Sequence, residues 1–137
     1  VSDELKLNVL SPERRLVESI LVEEVTLPGS EGQIQILPGH APMIGSLRTG
    51  VFNYKARGKS PVYGVISSGF FEVRDDEVYV MAETIELQNE IDIDRAKKAQ
   101  ELAEQTLQAA DLDEHSFKKY QLKLQRALIR QNLAGLT

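Results

Sequence analysis

Residues 31–50 read EGQIQILPGHAPMIGSLRTG. Gln33-Ile34-Gln35-Ile36-Leu37 alternates polar and apolar side chains, the period of a half-buried strand with Ile34 and Ile36 turned inward. Pro38 has no N–H and ends the pairing, and Gly39 permits a turn. The stretch is too apolar for an ordinary exposed loop and too rich in Gly and Pro for a long helix. It therefore reads as a strand followed by a stiff apolar turn. The same pattern surrounds it. Leu5-Lys6-Leu7-Asn8-Val9 and Glu77-Val78-Tyr79-Val80-Met81 alternate. Turn signals recur at Ser11-Pro12, Pro28-Gly29-Ser30, Thr49-Gly50, Arg57-Gly58-Lys59-Ser60-Pro61, Ser68-Gly69 and Asp75-Asp76. Many short strands at this spacing predict an all-β sandwich or flattened barrel over residues 1–88.

At Glu90 the period changes. Residues 91–110 and 114–134 contain neither Pro nor Gly, and each predicts a helix. Asp92 or Asp94 is placed to cap the first, Asp111 or Asp113 the second. A link of three to five residues between them would make an antiparallel hairpin, each arm roughly 27–30 Å long at 1.5 Å per residue. On the first helix Ala96, Ala99, Leu102, Ala103, Thr106, Leu107 and Ala110 share one face. That face is mostly methyl groups, and a buried CH₂ contributes only ~0.8 kcal/mol, so the pair is held weakly for its length. The pattern alone favours a plain alanine-lined pair over one built to open. The second helix carries Phe117, Tyr120, Leu124 and Leu128 on one apolar side. Leu122, Ile129 and Leu133 lie on another, and Lys119, Lys123, Arg126 and Arg130 form a basic stripe. Two apolar sides suggest two packing partners. The stripe is either a solvated face or a dock for acidic protein or phosphates.

With 42% apolar residues in 137 positions, the chain can bury a core. Cys is absent, which fits a reducing compartment and excludes thiol chemistry. The opening VSDELKLNVL has no secretory-signal pattern, and no run approaches the length of a membrane span. The net charge of −5 argues against non-specific nucleic-acid binding. The charge is unevenly spread. Residues 1–90 hold 8 basic and 14 acidic side chains, residues 91–137 hold 8 and 7, and no acid follows Glu114. Only the last segment is basic. No phosphate-binding glycine loop is present, and the only histidines, His40 and His115, lie 75 residues apart. An enzyme would have to be built around His40 alone, so the chain reads as non-catalytic.

Certain residues in order, Ser30-Glu31-Gly32-x-Ile34-x-Ile36-Leu37-Pro38-Gly39-His40-Ala41-Pro42, Gly50, Ser68-Gly69-Phe70-Phe71-Glu72-Val73 and Ile91-Asp92-Ile93-Asp94-Arg95-Ala96, carry a resemblance. Over essentially its whole length the chain resembles the epsilon subunits of bacterial F-type ATP synthases. The resemblance implies a ten-stranded flattened β-sandwich (1–88) followed by a two-helix regulatory domain (89–137). It implies a place on the rotor or central stalk, at the cytoplasmic face of the bacterial inner membrane and peripheral to it. The implied partners are the gamma subunit, the ring of c subunits and the alpha/beta catalytic head, with no nucleic acid. The implied role is to couple the head to the ion-translocating ring, for protons or sodium, and to inhibit ATP hydrolysis when the helices extend. The resemblance also puts the turn Gly29-Ser30-Glu31-Gly32 and the loop Pro38-Gly39-His40-Ala41-Pro42 at one rotor-facing end. Lys119, Lys123, Arg126 and Arg130 become the inhibitory stripe.

No cofactor is required, but some members bind regulatory ATP on the closed hairpin. Their pattern carries over as Glu86, Ile91, Asp92, Arg95, Ala96, Arg126 and Arg130. An i,i+4 arginine pair can meet one polyphosphate, and Glu86 and Asp92 can accept hydrogen bonds from adenine or ribose. One position departs: Leu102 stands where such members often carry a further arginine. Losing a charge-assisted contact costs about 1.5–3 kcal/mol. The alternative is a free-standing ATP-sensing module acting away from any synthase.

Overall fold

Strands account for most of residues 5–87 in the computed structural model, which describes residues 3–109 and 111–135. They are β1 (Leu5–Leu10), β2 (Arg15–Val22), β3 (Glu24–Gly29), β4 (Gly32–Ile36), β5 (Met43–Leu47), β6 (Gly50–Lys55), β7 (Val62–Ile66), β8 (Gly69–Arg74), β9 (Glu77–Ala82) and β10 (Ile85–Leu87). The hydrogen-bonded path runs β10-β7-β6-β3-β5-β8-β9-β1-β2, with β4 paired to β3 off that path. The all-β sandwich predicted by the strand spacing is present, with the ten strands that the family resemblance implied. The β1–β9 pairing is parallel, with Leu7 opposite Val78 and Val9 opposite Val80. Alternation therefore turns Leu5, Leu7 and Val9 to the same interior as Val78 and Val80, all fully buried. Phe52 and Phe71 are the largest side chains of that core.

The opening stretch behaves largely as its period requires. Ile36 is fully buried and Ile34 packs on the core from a partly buried position. The strand stops one residue sooner than read. The Leu37 carbonyl accepts from the His40 N–H at 3.1 Å, so it serves the turn rather than the ladder. Gly39 has φ +84°, which a side chain would oppose. Its N–H donates to Asp76 Oδ1 at 2.7 Å, tying the loop to the β8–β9 hairpin. Asp75 and Asp76 make that two-residue hairpin with φ of 52° and 58°, the hand that suits twisted strands.

The chain divides into two compact units between Leu87 and Gln88. The second begins with a 3₁₀ turn, Gln88–Glu90, followed by α1 (Ile93–Leu107) and α2 (Glu114–Ala134). Asp92 caps α1 by accepting from the Arg95 N–H at 3.1 Å, and Asp113 caps α2 by accepting from the Ser116 N–H at 2.7 Å. The helices pack as an antiparallel hairpin: Gln88 Nε2 donates to the Leu133 carbonyl, joining the start of one arm to the end of the other.

The first helix is shorter than expected. Ile91 lies between the 3₁₀ turn and α1, its N–H donating to the Gln88 carbonyl. At the other end the Thr106 hydroxyl bonds back to the Leu102 carbonyl at 2.8 Å, and the Ala109 N–H reaches Thr106 in a tightened turn. Ala110, placed on the helix by its period, lies outside the described residues.

The interface between the arms also differs in part. Ala96 and Ala103 are buried as expected, but Leu102 is 62% exposed. On α2 the buried residues are Ala127 and Leu133, while Phe117, Leu122 and Leu128 are exposed. Ala96, Ala103 and Ala127 let the two backbones approach, and of the larger side chains Leu133 is buried with them while Leu102, Phe117, Leu122 and Leu128 stay exposed. Gln131 Nε2 donates to Gln100 Oε1 at 2.7 Å across the hairpin.

Candidate functional site

A groove of about 300 Å³ runs along one flank of the hairpin. It exists because Ala99 and Ala103 offer only methyl groups where longer side chains would fill the space. These alanines share a face of α1 with Arg95 and Leu102, at helical spacing. From α2 come Tyr120, Lys123, Arg126 and Arg130, also at helical spacing. The lining thus holds four basic side chains and no carboxylate, drawn from both helices. Lys123 Nζ sits 4.9 Å from the centre of the Tyr120 ring, within cation–π range. Lys119 contacts the same ring at 6.0 Å but does not line the groove. Such a groove can hold a polyanion, with alanine and leucine surface for an apolar group beside it.

The structure sorts the residues expected to hold nucleotide. Arg95, Arg126 and Arg130 come together in the groove. Ala96 is buried in the seam beside it, and Ile91 is half-buried ahead of α1. Asp92 is exposed, with Oδ1 engaged in the cap. Glu86 stands on β10 opposite Val65, in the other compact unit. Leu102 does line the groove, so the residue that departs from the binding pattern stands at the groove. Sequence reasoning missed Tyr120 and Lys123 as groove residues. Their i,i+3 spacing, and the position of Lys123 three residues before Arg126, could have indicated them.

The β-unit offers a second kind of surface. The turn Gly29–Gly32 and the loop Pro38–Pro42 lie at opposite ends of β4, so they do not form one end as expected. The reason is simple: five residues of strand separate them, about 16 Å at the rise of a β-strand. The Gly29–Gly32 turn is fixed to β5, with the Ser30 N–H donating to the Ser46 carbonyl at 2.9 Å and the two hydroxyls in contact. Glu31 is exposed at its tip. At the other end His40 Nδ1 donates to the Ala41 carbonyl at 2.7 Å, and Ala41 and Pro42 are exposed.

Beside the Gly29–Gly32 turn lies a cleft of about 630 Å³, lined mostly by apolar atoms of Leu10, Pro12, Leu47, Phe70, Met81 and Ala82. Phe70 and Met81 face each other across β8 and β9, and are 62% and 44% exposed. Ile44, 76% exposed, is on the neighbouring strand. Contiguous apolar exposure of this kind marks an interaction surface. The sequence signal was Gly69-Phe70-Phe71, in which adjacent aromatics must point to opposite faces.

Residues 4–88 match the family model described as ATP synthase, Delta/Epsilon chain, beta-sandwich domain. Residues 89–135 match ATP synthase, Delta/Epsilon chain, long alpha-helix domain. An ATP synthase epsilon chain of Trichlorobacter lovleyi is 40% identical over 135 residues, covering 98% of this chain and 96% of that one. One from Geobacter sulfurreducens is 38% identical with the same coverage. Among solved structures, a chain of the Euglena gracilis mitochondrial ATP synthase (OSCP/F1/c-ring) superposes with TM-score 0.84 at 23% identity. The match covers 100% of this chain and 84% of that one. A chain from the Tetrahymena thermophila mitochondrial ATP synthase central stalk and c-ring gives TM-score 0.66 at 15% identity, covering 97% and 96%.

Proposed function

Because the chain belongs to the ATP synthase delta/epsilon family and is a non-catalytic subunit, we propose that it is a rotor part whose helix hairpin restrains ATP hydrolysis and is latched shut by ATP. The single observation that carries the latch is the groove. Its cations come from both helices, so only the closed hairpin assembles them.

The β-unit docks on the gamma subunit and the c-ring, and couples them to the alpha/beta head. Its apolar cleft at Phe70 and Met81 and the exposed Ile44 support that docking. The turn at Gly29–Gly32 and the loop at Pro38–Pro42 then meet different neighbours, since they lie at opposite ends of β4. Among the described residues no helix is long and apolar enough to cross a membrane. Attachment to the cytoplasmic face of the bacterial membrane comes through the complex.

The switch follows from differential binding. A ligand moves a two-state equilibrium only by its preference for one state. ATP held between Arg95 on α1 and Arg126 and Arg130 on α2 stabilises the closed form by RT ln(1 + [ATP]/Kd). When ATP is scarce the alanine seam opens. The two arms as one continuous helix of about 46 residues would reach roughly 70 Å, enough to enter the head. There Lys119, Lys123, Arg126 and Arg130 meet acidic surface. Three of these four also line the groove, so nucleotide and head compete for the same side chains.

The test is the ATPase rate of the assembled complex with and without this chain, at low and high ATP. Inhibition strong at low ATP, relieved at high ATP, and abolished by deleting residues 91–137 is the expected result. Equal rates in all conditions would remove the regulatory role. Co-purification with gamma separates this reading from a free-standing ATP sensor.

A further inference from the structure

We propose that Lys123, positioned by the Tyr120 ring, binds the terminal phosphate of the nucleotide and sets its preference for ATP over ADP; this rests on the ATP reading above. Along α2 the groove cations fall at Lys123, Arg126 and Arg130, spacings of three and four residues. Seven residues advance about 10 Å along a helix. One phosphate can meet an i,i+3 or i,i+4 pair, but engaging all three cations requires a chain of phosphates. The ends of the groove differ. Arg95 lies one turn beyond the Asp92 cap, and on the ATP reading Asp92, next to the groove rather than in its lining, is the acceptor for ribose or adenine at that end. The helices are antiparallel, so passing from Arg130 toward Lys123 leads away from Asp92, toward Leu102 and Ala103. A nucleoside at the Asp92 end therefore points its last phosphate at Lys123.

Leu102 supplies no charge at that end, which leaves Lys123 as the cation there. A lysine on a helix flank would ordinarily extend into water. Here its ammonium is 4.9 Å from the Tyr120 ring centre, and Tyr120 itself is half-buried in the groove wall. The ring limits the rotamers of the lysine before ligand arrives, so Tyr120 acts as a positioning residue.

The experiment is calorimetric titration of the full chain with ATP, ADP and AMP, for the parent protein and for Lys123→Gln, Tyr120→Phe, Tyr120→Leu and Lys118→Gln. Lys118 pairs with Glu114 and lies outside the groove. Helical circular dichroism confirms that each variant is folded. Lys123→Gln is expected to weaken ATP about tenfold, the scale of one charge-assisted contact, and ADP by less than about twofold, so the preference collapses. Tyr120→Phe keeps the ring and binds like the parent, whereas Tyr120→Leu shifts toward Lys123→Gln. Lys118→Gln changes neither constant. ATP binding that Lys123→Gln leaves unchanged, or weakens equally for ATP and ADP, would overturn this assignment and leave the ATP reading standing. No heat from any nucleotide with the parent protein would overturn both.

Discussion

At the scale of single residues, close approach of backbones sets the sharpest constraints. A Cβ on Gly69 would come within 2.0 Å of the Met81 carbonyl oxygen and 2.8 Å of Ala82 Cα, and neither can yield without moving β9. Gly69→Ala should therefore cost about 3 kcal/mol, read as a large fall in thermal midpoint. Gly58, with φ +72° and open space around it, should lose only about 1 kcal/mol on the same change. An equal effect at both sites would contradict this. From sequence Gly69 was legible only as a turn signal, because its partner depends on a register set by β8 and β9 together. Ile34, Ile36, Pro38 and Gly39 were fully legible, since their roles are local. The choice of Ala127 over Phe117 or Leu128 for the seam was not. Period places residues on faces, but which face a partner covers depends on how closely the backbones come.

At the scale of elements, the caps and the seam govern the hairpin. Asp113 accepts from the Ser116 N–H, and that hydrogen bond holds its carboxyl below the usual carboxylate range. A lowered pKa in the folded state gives stability that is present above the ordinary carboxylate pKa and lost as pH falls through the lowered one. Helix content of α2 should fall over that acid window, and Asp113→Ala should fray its first turn even at neutral pH. An NMR titration of Asp113 at an ordinary midpoint would refute the cap's contribution.

The seam permits a separate test. Ala127 is fully buried, and a larger side chain there must push the helices apart. Ala127→Leu should destabilise the hairpin by about 1–3 kcal/mol and weaken ATP binding, while the unfolding of the β-unit is unchanged. Loss of both units together would show that the seam is not the weak element. Both helices and both capping aspartates could be read from the sequence. The early end of α1 could not, because it rests on Thr106 bonding back to Leu102 rather than on a helix-breaking residue.

At the scale of the whole molecule, two units with different economies share one chain. The β-unit buries a continuous core of large side chains, while the hairpin buries mainly alanines along its seam. The division and the sandwich were legible because the apolar period changes from two to 3.6 near Glu90. The groove was only half legible: its arginines followed from the resemblance, whereas Lys123 was read only as part of the basic stripe and Tyr120 only as part of an apolar side, and the packing of the two helices brings both to the groove. A cross-link between cysteines at Ala103 and a facing position on α2 should relieve inhibition, and unchanged inhibition in the locked hairpin would contradict the switch. The most direct measurement is amide hydrogen exchange of the whole chain, with and without millimolar ATP. The account predicts that amides of α1 and α2 exchange far faster than those of β1 and β9 in the absence of ATP, and become protected when ATP is added. Protection equal to that of the sandwich core, unchanged by nucleotide, would contradict it.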